Sequence, residues 1–440
     1  MTEAAVGRAE ERCAVVGIGY VGLTLLCALG RGGLRSVGYD INAEKVEKAG
    51  RGEIPFEGAD AELEELLREV VAKGMISTTA DPAALSEATA VFYAVETPVD
   101  PFDNKPKYAA LRAALNVTAP HLSPGVLIVI ESTIAPGTMS KLVLPAIEHT
   151  RGWKVGVDFN LVHCPERVMP SRLVRNISTC DRVVGGVTPA CAERALPIYR
   201  RITSGKLHPT SALAAEITKT AENAYRDVQI AFANELAMIC EELGADVYEV
   251  RELVNSSPGR DVHLPGAGVG GHCIPKDPWL LCSSVTEFRP TLMPAARKIN
   301  DGMPVHVAKL VAQALEAEGR SIPGAVVTLL GAAYLEDTDD VRNAPALTLA
   351  RKLRDLGAEV RIVDPHVSAL EEFPVCPDLS VAEGSDALAV VTGHTAFKNA
   401  DLTKLGARMR TRILVDGRNV FSAEAASAAG FRFSGVGRGS

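Results

Sequence analysis

Cys273 stands in the stretch Gly266-Ala-Gly-Val-Gly-Gly-His-Cys-Ile-Pro-Lys-Asp277, behind four glycines (Gly266, Gly268, Gly270, Gly271) and just ahead of Lys276 and Asp277. Glycines without a Cβ let the backbone come close to a ligand. A thiol presented there, with an ammonium three residues on, is placed to act as a thiolate nucleophile. The ordinary alternative is a buried cysteine in a turn. Lys219 and Asn223 lie at i and i+4, hence on one helix face. With Glu216 and Glu222 at hand, an intrahelical ion pair on a solvated face competes with a catalytic role. Asn223 sits in an apolar stretch, however, and a buried amide needs partners. Glu166 follows Pro165 in His163-Cys-Pro-Glu-Arg-Val168, and Thr133 lies in Glu131-Ser-Thr-Ile-Ala-Pro-Gly-Thr138; taken singly, each caps a turn. His163, His263 and His272 are too scattered for a metal set, so no metal is expected, and each reads as structural or as a hydrogen-bond donor.

A second constellation concerns a phosphate-bearing ligand. Cys13-Ala-Val-Val-Gly17 reads as a buried parallel strand. It runs into Gly17-Ile-Gly-Tyr-Val-Gly22, a helical pattern follows from Leu23 to Leu29, and Ser36-Val-Gly-Tyr-Asp40 reads as a second strand ending on an acid. Strand, glycine turn, helix, strand and acid together are the dinucleotide fingerprint. Gly17, Gly19 and Gly22 supply the tight turn, the approach to the pyrophosphate and the helix–strand contact, and the helix N-terminus favours the phosphates. The Asp40 carboxylate accepts from the adenosine ribose and repels a 2′-phosphate, so NAD is expected rather than NADP.

These residues need elements to hold them. Ala90–Val95 and Val126–Ile130 are further strands, each followed by a polar turn (Glu96-Thr-Pro98 and Glu131-Ser-Thr133) where an open α/β sheet lines its ligand crevice. From Ser211 to Leu253 glycine all but vanishes. Ala214–Glu242 reads as one long helix, with Ile217, Ala221, Ala224, Val228, Ala231, Leu236 and Ile239 at helical spacing, a spine between domains and a dimer seam. After Ser321-Ile-Pro-Gly324 the chain returns to α/β, with strands at 325–331, 359–364, 387–392 and 413–416 around a helix at 346–356. This unit lacks the glycine fingerprint. The expectation is an α/β chain of two doubly wound Rossmann-like domains joined by a central helical domain, with boundaries at 1–205, 206–315 and 316–440.

The 440 residues suit about three domains, and 47% apolar with 23% charged residues is a globular composition. A net charge of −8 without a Lys/Arg run speaks against nucleic acid and anionic membranes as partners. Met1–Arg12 is polar and lacks the apolar core of a signal peptide, and no apolar run approaches membrane-spanning length. Nine cysteines without C-x-x-C pairs indicate neither a disulfide framework nor zinc, and point to a reducing cytoplasm.

Taken in order, the chain resembles the UDP-glucose/GDP-mannose dehydrogenase family over residues 10–425. The likeness rests on Gly17–Gly22, Glu96-Thr-Pro98, Ser132–Thr138, Pro165-Glu166, Arg182-Val-Val-Gly-Gly186, Lys219 with Asn223, the Cys273 loop and Asp337-Thr-Asp-Asp-Val-Arg342. The resemblance implies a four-electron oxidation of a nucleotide-sugar C6 alcohol to a carboxylate with two NAD reduced, a step of polysaccharide biosynthesis. It implies that Cys273 forms a thiohemiacetal and then a thioester, and that Lys219 and Asn223 stabilise the oxyanions. Glu166, Thr133 and Asp277 would position and deprotonate water. Tyr20, Val21, Lys45, Thr97, Thr133, Lys276 and Arg342 would lie along the cofactor. Glu166, Arg167, Lys219, Asn223, Gly270, Gly271, His272 and Arg418 would line the substrate, with Arg260 reaching into the site of a partner subunit in a homodimer or larger homo-oligomer.

Two positions depart from the family pattern: Leu335 follows Tyr334 where many relatives carry Lys, and Gly259 precedes Arg260 where many carry a larger residue. The first removes a cationic substrate contact; the second loosens the Arg260 loop. His272 before the cysteine and Ile274 after it suit an acetamido group and a bulkier sugar. A UDP-N-acetyl-hexosamine is therefore expected, the manno epimer before the gluco, with UDP-glucose or GDP-mannose as alternatives. A two-electron dehydrogenase would share the glycine turn and the Lys/Asn pair without needing Cys273. A non-catalytic nucleotide-sugar sensor would have lost Cys273 or Lys219.

Overall fold

The computed structural model describes residues 11–56, 61–167 and 173–438, so most of the polar opening segment Met1–Arg12 lies outside it. The chain forms two compact units, Met1–Glu222 with Trp279–Glu287, and Asn223–Pro278 with Phe288–Ser440.

The first unit is built on eight strands: β1 (Arg12–Val16), β2 (Arg35–Tyr39), β3 (Ile76–Thr79), β4 (Ala90–Tyr93), β5 (Leu127–Ile130), β6 (Asn160–His163), β7 (Arg182–Gly186) and β8 (Leu207–Ser211). Their order is β3-β2-β1-β4-β5-β6-β7-β8, parallel except for β6 against β7. Every residue of β4 and β5 is buried, as unbroken apolar runs require in a sheet covered on both faces. Alternation assigns their side chains to two cores. Phe92 and Val129 pack with Leu23, Leu26 and Tyr199 on one face, while Val91, Tyr93, Ile128 and Ile130 pack with Leu111 and Phe159 on the other. The strand order reverses between β1 and β4, the position at which open α/β sheets bind ligands.

The second unit carries seven strands: β9 (Val326–Leu330), β10 (Glu359–Val363), β11 (Ala369–Leu370), β12 (Phe373–Cys376), β13 (Ala387–Val390), β14 (Ile413–Asp416) and β15 (Arg432–Gly435). Their order is β11-β12-β10-β9-β13-β14-β15, with only β11 antiparallel to its neighbour. The expected Rossmann-like architecture is present in both units. A helix at Leu292–Glu316, with Pro304 inside it, falls in the stretch expected to be helical (206–315) but was not marked out individually; its Met303, Val307, Val311 and Leu315 enter the core of this unit.

The long helix spans Ala212–Leu243, with its residues up to Glu222 in the first unit and the remainder in the second. Its faces differ from the expected pattern. Ile217 and Ile239, counted with the apolar face, are exposed, while Asp227 and Asn234 are buried. The buried polar side chains are linked in a chain, although Asp227 Oδ2 and Arg297 Nε are left without a hydrogen-bond partner. Arg297 Nη1 and Asn300 Nδ2 donate to Asp227 Oδ1 (2.5 and 2.7 Å), Asn234 Nδ2 donates to Asn300 Oδ1 (2.8 Å), and Gly266 N donates to Asn234 Oδ1 (2.9 Å). This network ties the first glycine of the Cys273 loop to two helices. No helix among the described residues is long and apolar enough to cross a membrane.

Candidate active site

In the first unit the glycine turn connects β1 to the helix Tyr20–Arg31. Gly17 takes φ +88°, and a Cβ on Gly22 would stand 1.8 Å from Gly17 O, so both positions exclude a side chain. Nothing lies within 4 Å of a Cβ built on Gly19, which leaves its backbone open to a ligand. Asp40, just past β2, is fixed by Ile18 N donating to Oδ2 (3.0 Å) and Asn42 N donating to Oδ1 (2.9 Å). The residues present fit a dinucleotide with free ribose hydroxyls. Tyr20 and Val21 open the helix, and Lys45 lies in the helix Ala43–Gly50, its N–H donating to the Asn42 side chain. Beyond β4 and β5 the two polar turns are tied together: Thr97 Oγ1 donates to Thr133 O (2.5 Å) and Ser132 Oγ to Val95 O (2.6 Å).

Glu166 follows β6 in the same unit. Its Oε1 is buried without a hydrogen-bond partner, and burial pushes its carboxyl up to about 7, against the pull of Lys219 and Arg182. His163 Nδ1–H donates to Ile130 O (2.8 Å), and burial holds the ring neutral down to about 4. Behind them Arg182 Nη1 pairs with Glu131 Oε2 (3.2 Å), and Tyr199 Oη donates to Glu131 Oε1 (2.5 Å), all three side chains being buried. Glu166 N reaches Glu131 O at 3.4 Å, so this network underlies the Pro165-Glu166 turn. Sequence reasoning missed it, although an arginine inside the apolar strand Arg182-Val-Val-Gly-Gly186 demanded a carboxylate.

The acids near Lys219 do not form the intrahelical pair considered above. Glu216 accepts from Gly137 N (2.8 Å) and Met139 N (2.7 Å), and Glu222 receives the Arg167 guanidinium, which also donates to Asp181 O. Lys219 is buried, and its charge acts on Glu166 and His163. Arg167, expected along the substrate, is thus directed at Glu222.

In the second unit Cys273 is exposed. Its carbonyl accepts from Lys276 N (3.2 Å) and Asp277 N (2.9 Å). Asn223 Nδ2 donates to Asp277 Oδ2 (2.6 Å), which supplies the partner that its amide requires. Lys276 Nζ lies 3.0 Å from the buried Asp277 Oδ1, without hydrogen-bond geometry. Gly270 and Gly271 lie against Tyr334: a Cβ on Gly270 would stand 2.4 Å from Tyr334 Cβ, and Gly271 takes φ +83°. Burial, together with Lys276 and Arg342, lowers the His272 imidazole, leaving it neutral at pH 7. Arg342 pairs with Asp340 and also feels the charge of Cys273. Arg418 donates from Nε to Val391 O (2.8 Å) and from Nη2 to Gly268 O (3.1 Å), gripping the same loop. Arg260 stands on an exposed turn, with Nη1 donating to Pro258 O.

Asp337, His366 and His394 bring ligand-type atoms within 4.8 Å of one another. Both ring nitrogens of His394 are engaged, Nδ1 accepting from Asp337 N (2.9 Å) and Nε2 donating to Asp364 Oδ2 (2.9 Å), so His394 is held in a hydrogen-bonded frame with Asp337 and Asp364.

The first unit carries a dinucleotide turn with an acid past β2 and a buried carboxyl raised to about 7, and the second an exposed thiol on a glycine loop, the parts an NAD-dependent oxidoreductase requires. The chain belongs to the UDP-glucose/GDP-mannose dehydrogenase family: residues 11–203 match its NAD binding domain, 213–302 its central domain and 328–423 its UDP binding domain. It is 38% identical to a UDP-N-acetyl-D-mannosamine dehydrogenase of Pyrococcus horikoshii, over 97% of this chain and 99% of that protein. The solved structure of UDP-D-ManNAc dehydrogenase from that organism superposes with a TM-score of 0.90, covering 97% of this chain and 99% of that one. An NDP-N-acetyl-D-galactosaminuronic acid dehydrogenase of Ralstonia nicotianae is 34% identical over 93% of this chain and 96% of its own length. A UDP-glucose dehydrogenase from Pyrobaculum islandicum, 26% identical, superposes at 0.83 over 100% of both chains. The protein is a nucleotide-sugar 6-dehydrogenase that uses NAD and takes a UDP-sugar.

Proposed function

We propose that the chain oxidises the C6 alcohol of a UDP-N-acetyl-hexosamine, UDP-N-acetylmannosamine first, to the uronate through covalent intermediates on Cys273. The observation that carries this reading is the exposed Cys273 thiol, held on a glycine turn beside Lys276 and the Asn223–Asp277 hydrogen bond. Bound NAD supplies a hydride acceptor at each oxidation. Removal of hydride from C6 and of the hydroxyl proton gives the aldehyde. The Cys273 thiolate forms a C–S bond to it, giving a thiohemiacetal whose oxyanion Lys219 and Asn223, one turn apart on the long helix, stabilise. Loss of a second hydride and the hydroxyl proton leaves a thioester. Water attacks its carbonyl, Glu166 takes the proton, and the C–S bond breaks to return the thiolate and release the acid. Thr133 and Asp277 orient the water. Holding the sugar covalently avoids release of a reactive aldehyde.

The hexosamine assignment is supported by His272 and Ile274 around the cysteine and by the names of the relatives above. Arg418 and Arg260 are assigned to the UDP-sugar, Arg260 serving the site of a second copy. Homodimerisation is supported by Tyr225, Phe232 and Ile239, exposed at seven-residue spacing along the long helix. The three-domain division at 1–205, 206–315 and 316–440 and a cytoplasmic location belong to the same reading.

Counting NADH at exhaustion of limiting UDP-N-acetylmannosamine tests the relay, with two per sugar expected; a value near one rejects it. Cys273→Ala should abolish acid formation while leaving NAD binding at the glycine turn intact. Comparing kcat/KM for UDP-N-acetylmannosamine, UDP-N-acetylglucosamine, UDP-glucose and GDP-mannose decides the sugar. A highest value for either of the last two rejects the hexosamine assignment and leaves the chemistry standing.

A further inference from the structure

The loop that presents Cys273 is held from one side by the segment following β9. Gly271 N donates to Arg342 O (2.8 Å), and Asn343 Nδ2 donates back to Gly271 O (3.0 Å), so both backbone polar groups of the residue two before the cysteine are taken by consecutive residues. Tyr334 closes the same face, its ring lying within about van der Waals distance of Gly271 and its own N–H donating to Asp340 O (3.0 Å). Asn343 itself takes φ +49°. That left-handed backbone is uncommon outside glycine, and asparagine is among the few side chains that tolerate it. An asparagine spent on this conformation, with its amide on one carbonyl of a glycine turn, is over-determined for a surface loop.

We propose that Asn343 is a positioning residue for the Cys273 thiol: its amide pins the Gly270–Gly271 turn against Tyr334 and so fixes where the sulfur stands. The proposal rests on the reading of Cys273 as nucleophile. Without the pin, the turn keeps the Arg342 carbonyl bond and the Tyr334 contact but loses the restraint on its own carbonyl. The sulfur then drifts relative to Arg342, which feels its charge, and relative to the neighbouring His272, whose own ring is faced by Lys276, Arg342, Asp277 and Asp340. The segment that holds Asn343 also contains Tyr334 and Leu335, at the family's sugar-contact motif, so thiol placement is tied to the unit's own nucleotide-binding loop.

Asn343 is exposed, and glycine accepts its backbone angles, so Asn343→Gly removes the amide without straining the fold. In that variant kcat should fall about tenfold or more, since an ångström of misplacement at a reacting atom is that costly. KM for NAD and for UDP-N-acetylmannosamine should stay within about threefold of the parent, as expected when only the reacting step is affected. Alkylation of Cys273 by iodoacetamide in the ligand-free protein, followed by peptide mass at one fixed pH, should slow by about threefold or more as the thiolate loses its cationic setting. Asn343→Asp keeps the shape and the backbone tolerance but turns a donor toward Gly271 O into an acceptor, and should be at least as impaired. Wild-type kcat and alkylation rate in Asn343→Gly overturn the proposal, as does a change confined to KM, which would place Asn343 in ligand binding alone. Acid formation by Cys273→Ala overturns instead the nucleophile reading, whatever Asn343 does.

Discussion

Glu166 and His163 sit close in sequence and are pushed by the same burial in opposite senses, the acid up to about 7 and the imidazole down to about 4. Each is therefore favoured in its uncharged form, and only Glu166 changes charge near neutrality. In the role proposed for it, as base toward the hydrolytic water, Glu166 works ionised, so turnover should rise with pH through about 7. Glu166→Gln should lower kcat and remove that inflection; a pH–rate profile of both enzymes checks it, and an unchanged inflection would assign the ionisation elsewhere. Asp40 belongs to the same scale. Its carboxylate is oriented by two backbone N–H groups and is only half-buried. Asp40→Asn should weaken NAD and narrow the preference over NADP by about tenfold, through loss of a charged acceptor and of the like-charge clash with a 2′-phosphate. Dissociation constants for both dinucleotides measure it, and an unaltered ratio would place the ribose elsewhere.

At the level of elements, the long helix carries two kinds of chemistry on opposite faces. Inward it holds Asp227 and Asn234, whose hydrogen bonds reach Gly266; outward it shows Tyr225, Phe232 and Ile239. Apolar spacing alone could not separate these faces, because apolar residues recur on both and the buried side includes polar groups whose partners, Arg297, Asn300 and Gly266, are distant in sequence. Phe232→Glu places a charge in the exposed stripe without touching the buried network. It should convert a dimer to monomers in light scattering, with the thermal midpoint of the monomer little changed; an unaltered mass would remove this stripe from the interface. Strands were more legible than helices. Cys13–Gly17, Ala90–Val95 and Val126–Ile130 were readable because fully covered parallel strands are continuous apolar runs. The helix Leu292–Glu316 was not marked out individually because Pro304 interrupts its pattern, and the antiparallel step at β6–β7 leaves no local signature.

Across the whole chain, the dinucleotide turn was readable because its glycines and acid are spaced locally, and Cys273, Lys219, Asn223 and Glu166 could be singled out as candidates by residue type and setting. The supporting shell was not: Glu131, Arg182 and Tyr199 meet only through tertiary folding, and Asn343 acquires meaning from a backbone angle. One correspondence between the units is also visible only in three dimensions. Gly17 N donates to Tyr39 O and Ile18 N to Asp40; in the other sheet Gly331 N donates to Val363 O (2.8 Å) and Ala332 N to Asp364 (2.7 Å). The motif is the same, but Asp364 is sealed, taking further bonds from Ala333 N, His366 N, Val367 N and His394 Nε2. A carboxylate enclosed in this way has no edge left to offer a ribose. Twin positions should thus answer the same change differently. Asp40→Asn alters which dinucleotide is held and spares the melting temperature, whereas Asp364→Asn should cost about 2–4 kcal/mol of stability and leave cofactor choice alone. A repeated scaffold carries the motif once with an accessible carboxylate and once with a sealed one, so, on the role proposed for Asp40, cofactor preference can be re-engineered at the first without disturbing the architecture that depends on the second.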